Sequence, residues 1–116
     1  MANQTVRPVA ILGGMRTPFC RSNTAYQDLT NLDLLGTALD GLVDQYNLKG
    51  EHIDEVVGGA VVTHAKDWNL AREAVVATKL APSTPATTMM QACGTSLQAL
   101  MGSAAKIAIG QCESAI

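Results

Sequence analysis

Cys93 is the residue of this sequence whose type and position best suit covalent chemistry. It lies between a β-rich run, residues 84–91, and a nearly uncharged helical run, residues 95–109. A thiol at such a strand-to-helix turn faces the unpaired N–H groups of the helix, and these donors and the helix dipole favour a thiolate. The sequence therefore predicts a nucleophile at Cys93. The alternative is a structural role, because a free cysteine is commonly buried as a small apolar side chain.

A cysteine nucleophile needs a base that takes its proton and hydrogen-bond donors that stabilise an oxyanion. The chain has two histidines, His52 before the predicted strand of residues 53–62 and His64 after it. Because sites in α/β proteins form at the carboxyl ends of strands, only His64 could reach Cys93, whereas His52 should lie at the opposite end of the sheet. The alternative for His64 is a solvated loop residue beside Lys66.

The elements that would position Cys93 alternate between strand and helix along the chain. Predicted strands cover residues 9–12, 53–62 and 84–91, predicted helices cover residues 31–49, 69–80 and 95–109, and residues 112–116 begin a fourth strand. Within the second strand, Gly58 and Gly59 indicate a close approach of another backbone. Alternation of this kind favours an α/β fold with a parallel or mostly parallel sheet and right-handed crossovers.

Two of the helices carry specific signals. Thr30 and Asp33 have the spacing of a capping box at the start of the first helix, and Gly50 is predicted to end it. The apolar residues that follow at helical spacing are Leu35, Leu39, Leu42 and Tyr46. The helix of residues 95–109 is apolar on nearly all sides, with Lys106 as its only charge, which predicts a buried central helix.

The composition limits the class of protein. A length of 116 residues leaves room for one domain, and the chain is 47% hydrophobic, 16% charged and only 3% aromatic, which predicts an aliphatic core. The formal net charge is −2, with no cluster of lysines and arginines interleaved with aromatic residues. Nucleic-acid binding is therefore not expected.

Cysteine usage and the first residues indicate the compartment. Residues 1–8 are polar with one arginine and are too short for a signal peptide or a membrane span. The three cysteines are widely spaced with no CxxC pair, which argues against a disulfide framework or a zinc site. These features predict a reducing compartment, with the cytoplasm as the default.

Two segments and the cysteine turn resemble the thiolase family of acyl-CoA acyltransferases. Residues 9–19 resemble the family's opening strand and its Arg-Thr-Pro-Phe turn, and residues 69–72 resemble the Asn-x-Ala-Arg that opens its second helix. Cys93 then falls on the family's nucleophile. After it, this chain has Gly94-Thr95-Ser96 where the commonest thiolase pattern has Ser-Ser-Gly, and this resembles the fatty-acid-degrading branch related to trifunctional-enzyme β subunits.

The resemblance implies a thiolase-like layered mixed sheet with a buried central helix, and an acyltransferase that uses an acyl-cysteine intermediate at Cys93. The expected reaction is thiolytic cleavage of a 3-ketoacyl-CoA by CoA, or the reverse Claisen condensation of acetyl-CoA. CoA thioesters are then substrates, and no bound cofactor or metal is expected. In the family, the N–H of the nucleophile forms half of an oxyanion hole. The activating histidine, the second cysteine and a water-holding asparagine come from later segments.

The resemblance also implies that residues 1–116 are the N-terminal part of a thiolase N-terminal domain, with the loop domain and the C-terminal half absent. We therefore expect the 116 residues to be inactive by themselves. Thiolases pair the strand that corresponds to residues 84–91 across a two-fold axis, which implies a homodimer or homotetramer. Packing or interface roles are expected for four other residues with reactive or charged side chains, which are Arg16, Cys20, Arg72 and Cys112.

Two alternative functions are consistent with the same residues. A ketoacyl-synthase-type condensing enzyme shares this fold and a cysteine at the same turn, but takes its acyl group from a carrier protein. A non-catalytic thiolase-like protein would bind acyl-CoA or lipid, or serve as a structural subunit. The Arg-Thr-Pro-Phe and Asn-x-Ala-Arg segments favour a thiolase over the condensing enzyme.

Overall fold

The computed structural model describes residues 6–116, so the predicted absence of a signal peptide at residues 1–8 falls in part outside the described residues. Helices and strands alternate in it, as predicted. The elements are α1 (Asn31–Tyr46), β1 (Val56–Gly59), α2 (Leu70–Ala77), β2 (Ala86–Met89) and α3 (Thr95–Ala108). Two short 3-10 turns, Ala65–Asp67 and Ala92–Gly94, precede α2 and α3 respectively.

The sheet is parallel. β1 pairs with β2 in a register that places Val56 opposite Ala86 and Gly59 opposite Met89. On the other side of β1, Glu55 forms a parallel bridge with Ala115, and the N–H of Ile116 donates to the carbonyl of Glu55 at 3.0 Å. The start of a fourth strand in residues 112–116 is therefore confirmed as a single bridge.

The predicted strand at residues 9–12 is wrong. These residues have no strand partner in the described part of the chain, and Ile11 and Leu12 are exposed. The hydroxyl of Tyr46 donates to the carbonyl of Leu12 at 3.0 Å. An apolar β-type run becomes a strand only when a neighbouring strand satisfies its backbone groups, and here a helix side chain is the partner.

The capping signal of α1 is confirmed. The Thr30 hydroxyl accepts from the N–H of Asp33 at 3.2 Å, and the N–H of Thr30 donates to the Asp33 carboxylate at 2.7 Å. The predicted end at Gly50 is wrong, because Asn47 adopts the left-handed conformation with φ 56° and its N–H donates to the Val43 carbonyl. Asparagine tolerates this conformation better than most residues, so the helix ends at Tyr46, four residues before the glycine.

The core is aliphatic, as the composition predicts. Its buried members come from α1, α2, β1 and the segments between them, and are Leu39, Val43, Ile53, Val56, Ala74, Val75 and Leu80. On α1 the fully buried residue is Val43, whereas Leu42 is half-buried. Leu35 and Leu39 contribute to the core as predicted, so the observed face differs from the predicted one in having Val43 in place of Leu42.

One face of α3 packs on β1, and an ion pair with a buried carboxylate and a partly exposed ammonium lies at that contact. The ammonium of Lys106 pairs with the carboxylate of Glu55, which is 7% exposed. Ala99 and Ser103 are buried on this face. The sequence predicts a helix covered on all sides, but in this chain Leu97 and Met101 are exposed on the other face. No helix within residues 6–116 is both long and apolar enough to cross a membrane.

Arg7 closes the carboxyl end of α3. Its N–H donates to the carbonyl of Ala108 at 2.9 Å, and its guanidinium donates to the carbonyls of Ile107 and Cys112, each at 2.8 Å. The same guanidinium forms an ion pair with Glu113 at 2.7 Å. A cation at this end of a helix is favourable because it satisfies unpaired carbonyls and opposes the helix dipole.

Gly59 allows the carboxyl ends of β1 and β2 to meet α3 closely. A Cβ atom on Gly59 would overlap the carbonyl oxygen of Met89 and lie 2.6 Å from the Thr95 methyl carbon. The close approach predicted from the glycine pair is confirmed at this residue.

Asp54 holds the chain beside β1. Its carboxylate accepts from the N–H of Glu113 at 2.7 Å and from the N–H of Ser114 at 3.2 Å. These backbone hydrogen bonds, that of Glu113 first, hold the pKa of Asp54 below its usual value. The ionised carboxylate therefore stabilises the bridge between Glu55 and Ala115.

We expect Asp54→Asn to lower the melting temperature near neutral pH. Because the pKa of Asp54 is lower in the folded than in the unfolded state, the stabilisation is present above the unfolded-state pKa of about 3.9 and is lost as the pH falls through the folded-state pKa. Thermal unfolding at a series of pH values should show the difference from the unaltered protein shrinking below about pH 4. Asp28→Asn, at an exposed carboxylate, is the matched control. A pH-independent difference would contradict this account.

We expect Gly59→Ala to destabilise the fold by about 1–3 kcal/mol, the usual cost of forcing extra atoms into a packed site. Gly102→Ala is the control, because a Cβ at Gly102 on α3 meets nothing within 4 Å, and alanine is the better helix former. Urea unfolding of both variants measures the difference. Equal stabilities would show that the contact of Gly59 with Thr95 imposes no constraint.

Candidate functional site

Cys93 lies at the centre of the 3-10 turn Ala92–Gly94, between the carboxyl end of β2 and the first residue of α3. The strand-to-helix turn predicted from the sequence is therefore confirmed. Cys93 is exposed, which excludes the alternative of a thiol buried in the core of this chain.

The backbone of this turn is strained immediately before the cysteine. Ala92 has a positive φ of 45°, a conformation that costs an L-residue with a Cβ about 1–2 kcal/mol. The N–H of Gly94 donates to the carbonyl of Gln91 at 2.9 Å and helps to hold the turn. Strain of this kind persists where surrounding contacts enforce it, and such positions are concentrated at functional sites.

The side chain of Thr95 forms hydrogen bonds with the two residues that precede Cys93. Its hydroxyl accepts from the N–H of Gln91 at 2.9 Å and donates to the carbonyl of Ala92 at 2.8 Å. Thr95 is buried, and its methyl group lies beside Gly59 of β1. The turn is thus fastened to the sheet through one side chain.

The N–H of Cys93 has no hydrogen-bond acceptor within residues 6–116. It lies in the first turn of the helical segment that continues into α3, where N–H groups are normally unpaired. When the thiol attacks a carbonyl carbon, this unpaired N–H could donate a hydrogen bond to the carbonyl oxygen.

A polar network fixes β2, the strand that leads to the cysteine, against α2. The side-chain carbonyl of Asn69 accepts from the N–H of Arg72 at 3.2 Å and from the Thr88 hydroxyl at 2.6 Å, and the Thr88 oxygen also accepts from the N–H of Ala71 at 2.9 Å. The guanidinium of Arg72 donates to the carbonyl of Thr84 at 2.9 Å. The predicted cap at Asn69 is confirmed, and Arg72 has the expected packing role.

The two histidines lie at opposite ends of the sheet, as predicted. The ring of His52 contacts the Ser83 hydroxyl at 3.0 Å, before the amino ends of β1 and β2. His64 follows β1 and precedes the turn Ala65–Asp67, where it is exposed. Within the described residues no hydrogen bond joins His64 to Cys93, so the structure does not bring this base candidate to the thiol.

The remaining candidates lie away from the cysteine turn in the sequence and have other contacts. The guanidinium of Arg16 stacks on the ring of Phe19, 4.5 Å from its centroid. Cys20 is exposed in the same loop, and the carbonyl of the half-buried Cys112 accepts from Arg7. The structure gives Arg16 and Cys112 local packing partners, in line with the prediction.

Thr95 is the residue of the site whose role the sequence reasoning missed. The available signal was a threonine at the first position of a helix, two residues after the cysteine, because threonine hydroxyls often bond to nearby backbone groups at helix starts. The pairing with Gln91 and Ala92 depends on the left-handed turn, which periodicity does not reveal.

The chain is similar in sequence to known proteins. The family model described as thiolase, N-terminal domain, matches residues 9–116. The beta subunit of the human mitochondrial trifunctional enzyme is 37% identical over 113 residues, which is 97% of this chain and 24% of that protein. The 3-ketoacyl-CoA thiolase of Photorhabdus laumondii is 38% identical over 102 residues, which is 88% of this chain and 23% of that protein.

A solved structure supports the same fold. The crystal structure of the acetyl-CoA acetyltransferase of Bacillus anthracis superposes with a TM-score of 0.87 at 24% identity, covering 95% of this chain and 28% of that one. The chain spans about a quarter of the length of the curated relatives that it matches. The match of the family model to nearly the whole chain confirms the resemblance, and the chain belongs to the thiolase family.

Proposed function

We propose that Cys93 is the nucleophile of a thiolase that cleaves 3-ketoacyl-CoA with CoA, or condenses acetyl-CoA in the reverse direction. The observation that carries the proposal is the exposed thiol of Cys93, on a strained turn at the start of α3, beside its own unpaired N–H. Membership of the thiolase family supports it.

The proposed reaction has two acyl transfers. The Cys93 thiolate attacks the 3-keto carbon, the bond between carbons 2 and 3 breaks, and the carbanion takes a proton to leave as acetyl-CoA. The shortened acyl group then remains on sulfur as a thioester. The thiolate of a second CoA attacks that thioester and releases the shortened acyl-CoA, which regenerates the Cys93 thiolate. The first stage therefore consumes a CoA thioester and the second consumes free CoA, so CoA is a substrate and is not retained as a cofactor.

The described residues supply only part of this chemistry. The N–H of Cys93 would donate to the oxyanion that forms when the thiolate attacks, and the dipole of α3 would stabilise the charge. No side chain within residues 6–116 forms a hydrogen bond with the Cys93 thiol. We propose that the groups that move protons to and from the thiol belong to segments other than the described ones.

The assembly is part of the proposal. Within the described residues β2 pairs only with β1, so its other edge is free to pair with β2 of a second copy. A homodimer or homotetramer through residues 84–91 would cover this edge. The free cysteines suit a reducing compartment, and the cytoplasm stays a prediction.

Of the two alternative functions, the condensing enzyme that uses a carrier protein is disfavoured by membership of the thiolase family. A non-catalytic acyl-CoA-binding protein would share the fold but would not need a reactive thiol. Reactivity of Cys93 therefore discriminates between the thiolase and the binding protein.

We expect Cys93 to be the fastest-reacting thiol of the active enzyme that contains this chain. Alkylation with substoichiometric iodoacetamide and peptide mapping would measure this, with Cys20 as an internal control because it is exposed to the same solution. Cys93→Ser should abolish both thiolysis and formation of the acyl-enzyme, which intact mass detects as one added acetyl group. Faster labelling of Cys20, or full thiolysis by the serine variant, would overturn the assignment.

We expect the 116 residues expressed alone to cleave no acetoacetyl-CoA with added CoA, because within residues 6–116 no acidic or basic side chain forms a hydrogen bond with the Cys93 thiol. The measurement is the loss of acetoacetyl-CoA against a Cys93→Ser control. Turnover that depends on Cys93 would contradict this expectation and make His64 the leading candidate for the base.

A further inference from the structure

We propose that Thr95 is a positioning residue that holds Cys93 in its reactive geometry. This inference rests on the proposed role of Cys93 as nucleophile. Thr95 does not touch the reacting atoms in this account; it acts through the backbone of the turn Ala92–Gly94 that carries the thiol.

The two hydrogen bonds of Thr95 fix the backbone that precedes Cys93. The Thr95 hydroxyl accepts from the N–H of Gln91 and donates to the carbonyl of Ala92, so it bonds to the two residues before the cysteine while belonging to the second residue after it. These bonds close the backbone segment from Gln91 to Thr95 into a hydrogen-bonded loop that contains Cys93. Because Ala92 is held at a φ of 45°, loss of these bonds would let it relax toward a negative φ.

The methyl group of Thr95 packs against β1. It lies beside Gly59, at a place where a Cβ atom on Gly59 would be 2.6 Å from it. A threonine has few accessible χ1 rotamers, so packing of the methyl against β1 directs the hydroxyl toward the turn. The hydroxyl bonds the turn and the methyl fixes the hydroxyl, which accounts for threonine here in place of serine.

The backbone conformation at Ala92 determines the orientation of Cys93. Rotation of the peptide units at Ala92 would redirect both the thiol and the N–H of Cys93 relative to the axis of α3. Acyl transfer is sensitive to such a change, since a misplacement of about 1 Å can cost roughly 100-fold in rate. Thr95 would therefore influence catalysis without contact with substrate.

The experiment compares variants that separate the hydroxyl from the methyl. Thr95→Val keeps the branched shape and removes the hydroxyl, and Thr95→Ser keeps the hydroxyl and removes the methyl. The matched control is Ser96→Ala, which removes an exposed hydroxyl from the next residue of the same helix. In the active enzyme, the readouts are the ratio of the alkylation rates of Cys93 and Cys20, the rate of acyl-enzyme formation and the melting temperature.

We expect Thr95→Val to lower the rate of acyl-enzyme formation by about 100-fold and to reduce the alkylation ratio, whereas Thr95→Ser recovers most of both and Ser96→Ala changes neither. A valine variant with an unchanged alkylation ratio and unchanged acylation would overturn the inference. If the valine variant does not fold, Thr95→Ala and Thr95→Ser replace that comparison, because they differ only in the hydroxyl. Equal ratios and acylation rates in those two would overturn the inference in the same way.

The outcomes for the unaltered enzyme keep the two proposals distinct. If Cys93 is not its fastest thiol, the proposed function fails. If Cys93 is the fastest thiol and removal of the Thr95 hydroxyl leaves its reactivity unchanged, only the positioning role fails.

Discussion

The close approach of Gly59 to Met89 and Thr95 is the constraint on which the rest of the structure depends. The parallel register places Gly59 opposite Met89 at the last pair of β1 and β2, and the missing Cβ leaves space for the start of α3. A larger residue would separate the sheet from the helix at the point where the chain must turn. Because Thr95 packs beside Gly59 and bonds to Gln91 and Ala92, the strained conformation of Ala92 can be maintained.

Helices α2 and α3 hold the two strands that meet at Gly59 and Met89. On one side, the polar network of Asn69 and Thr88 holds β2 against the start of α2, so the strand cannot slide relative to that helix. On the other side, the ion pair between the buried carboxylate of Glu55 and the partly exposed ammonium of Lys106 joins α3 to the sheet near the amino end of β1. The second carboxylate oxygen of Glu55 has no partner in the described residues.

Local signals in the sequence predicted the features that depend on a few neighbouring residues. The capping pair of Thr30 and Asp33, the cap at Asn69 and the strand-to-helix turn at Cys93 are of this kind, and all are present. Features that depend on distant partners were less accessible. Within residues 6–116 the apolar run at residues 9–12 has strand composition but no strand neighbour, and on α1 Val43 joins Val56 and Val75 in the core where the periodicity predicted Leu42.

At the candidate site, too, features set by neighbouring residues were predictable and features set by distant contacts were not. Cys93 could be predicted as a nucleophile because its type and its position in the chain are both visible in the sequence, and the family model covers this residue. The bonds of Thr95 could not, because they require the left-handed backbone at Ala92 and the approach of β1.

The contacts of Arg7 have a consequence for the connectivity of the chain. Its guanidinium lies 2.7 Å from the Glu113 carboxylate, so two residues more than a hundred positions apart in sequence are neighbours in space. The start of the described chain is therefore coupled to the carboxyl end of α3, and local opening of one segment would expose polar groups that the other now satisfies.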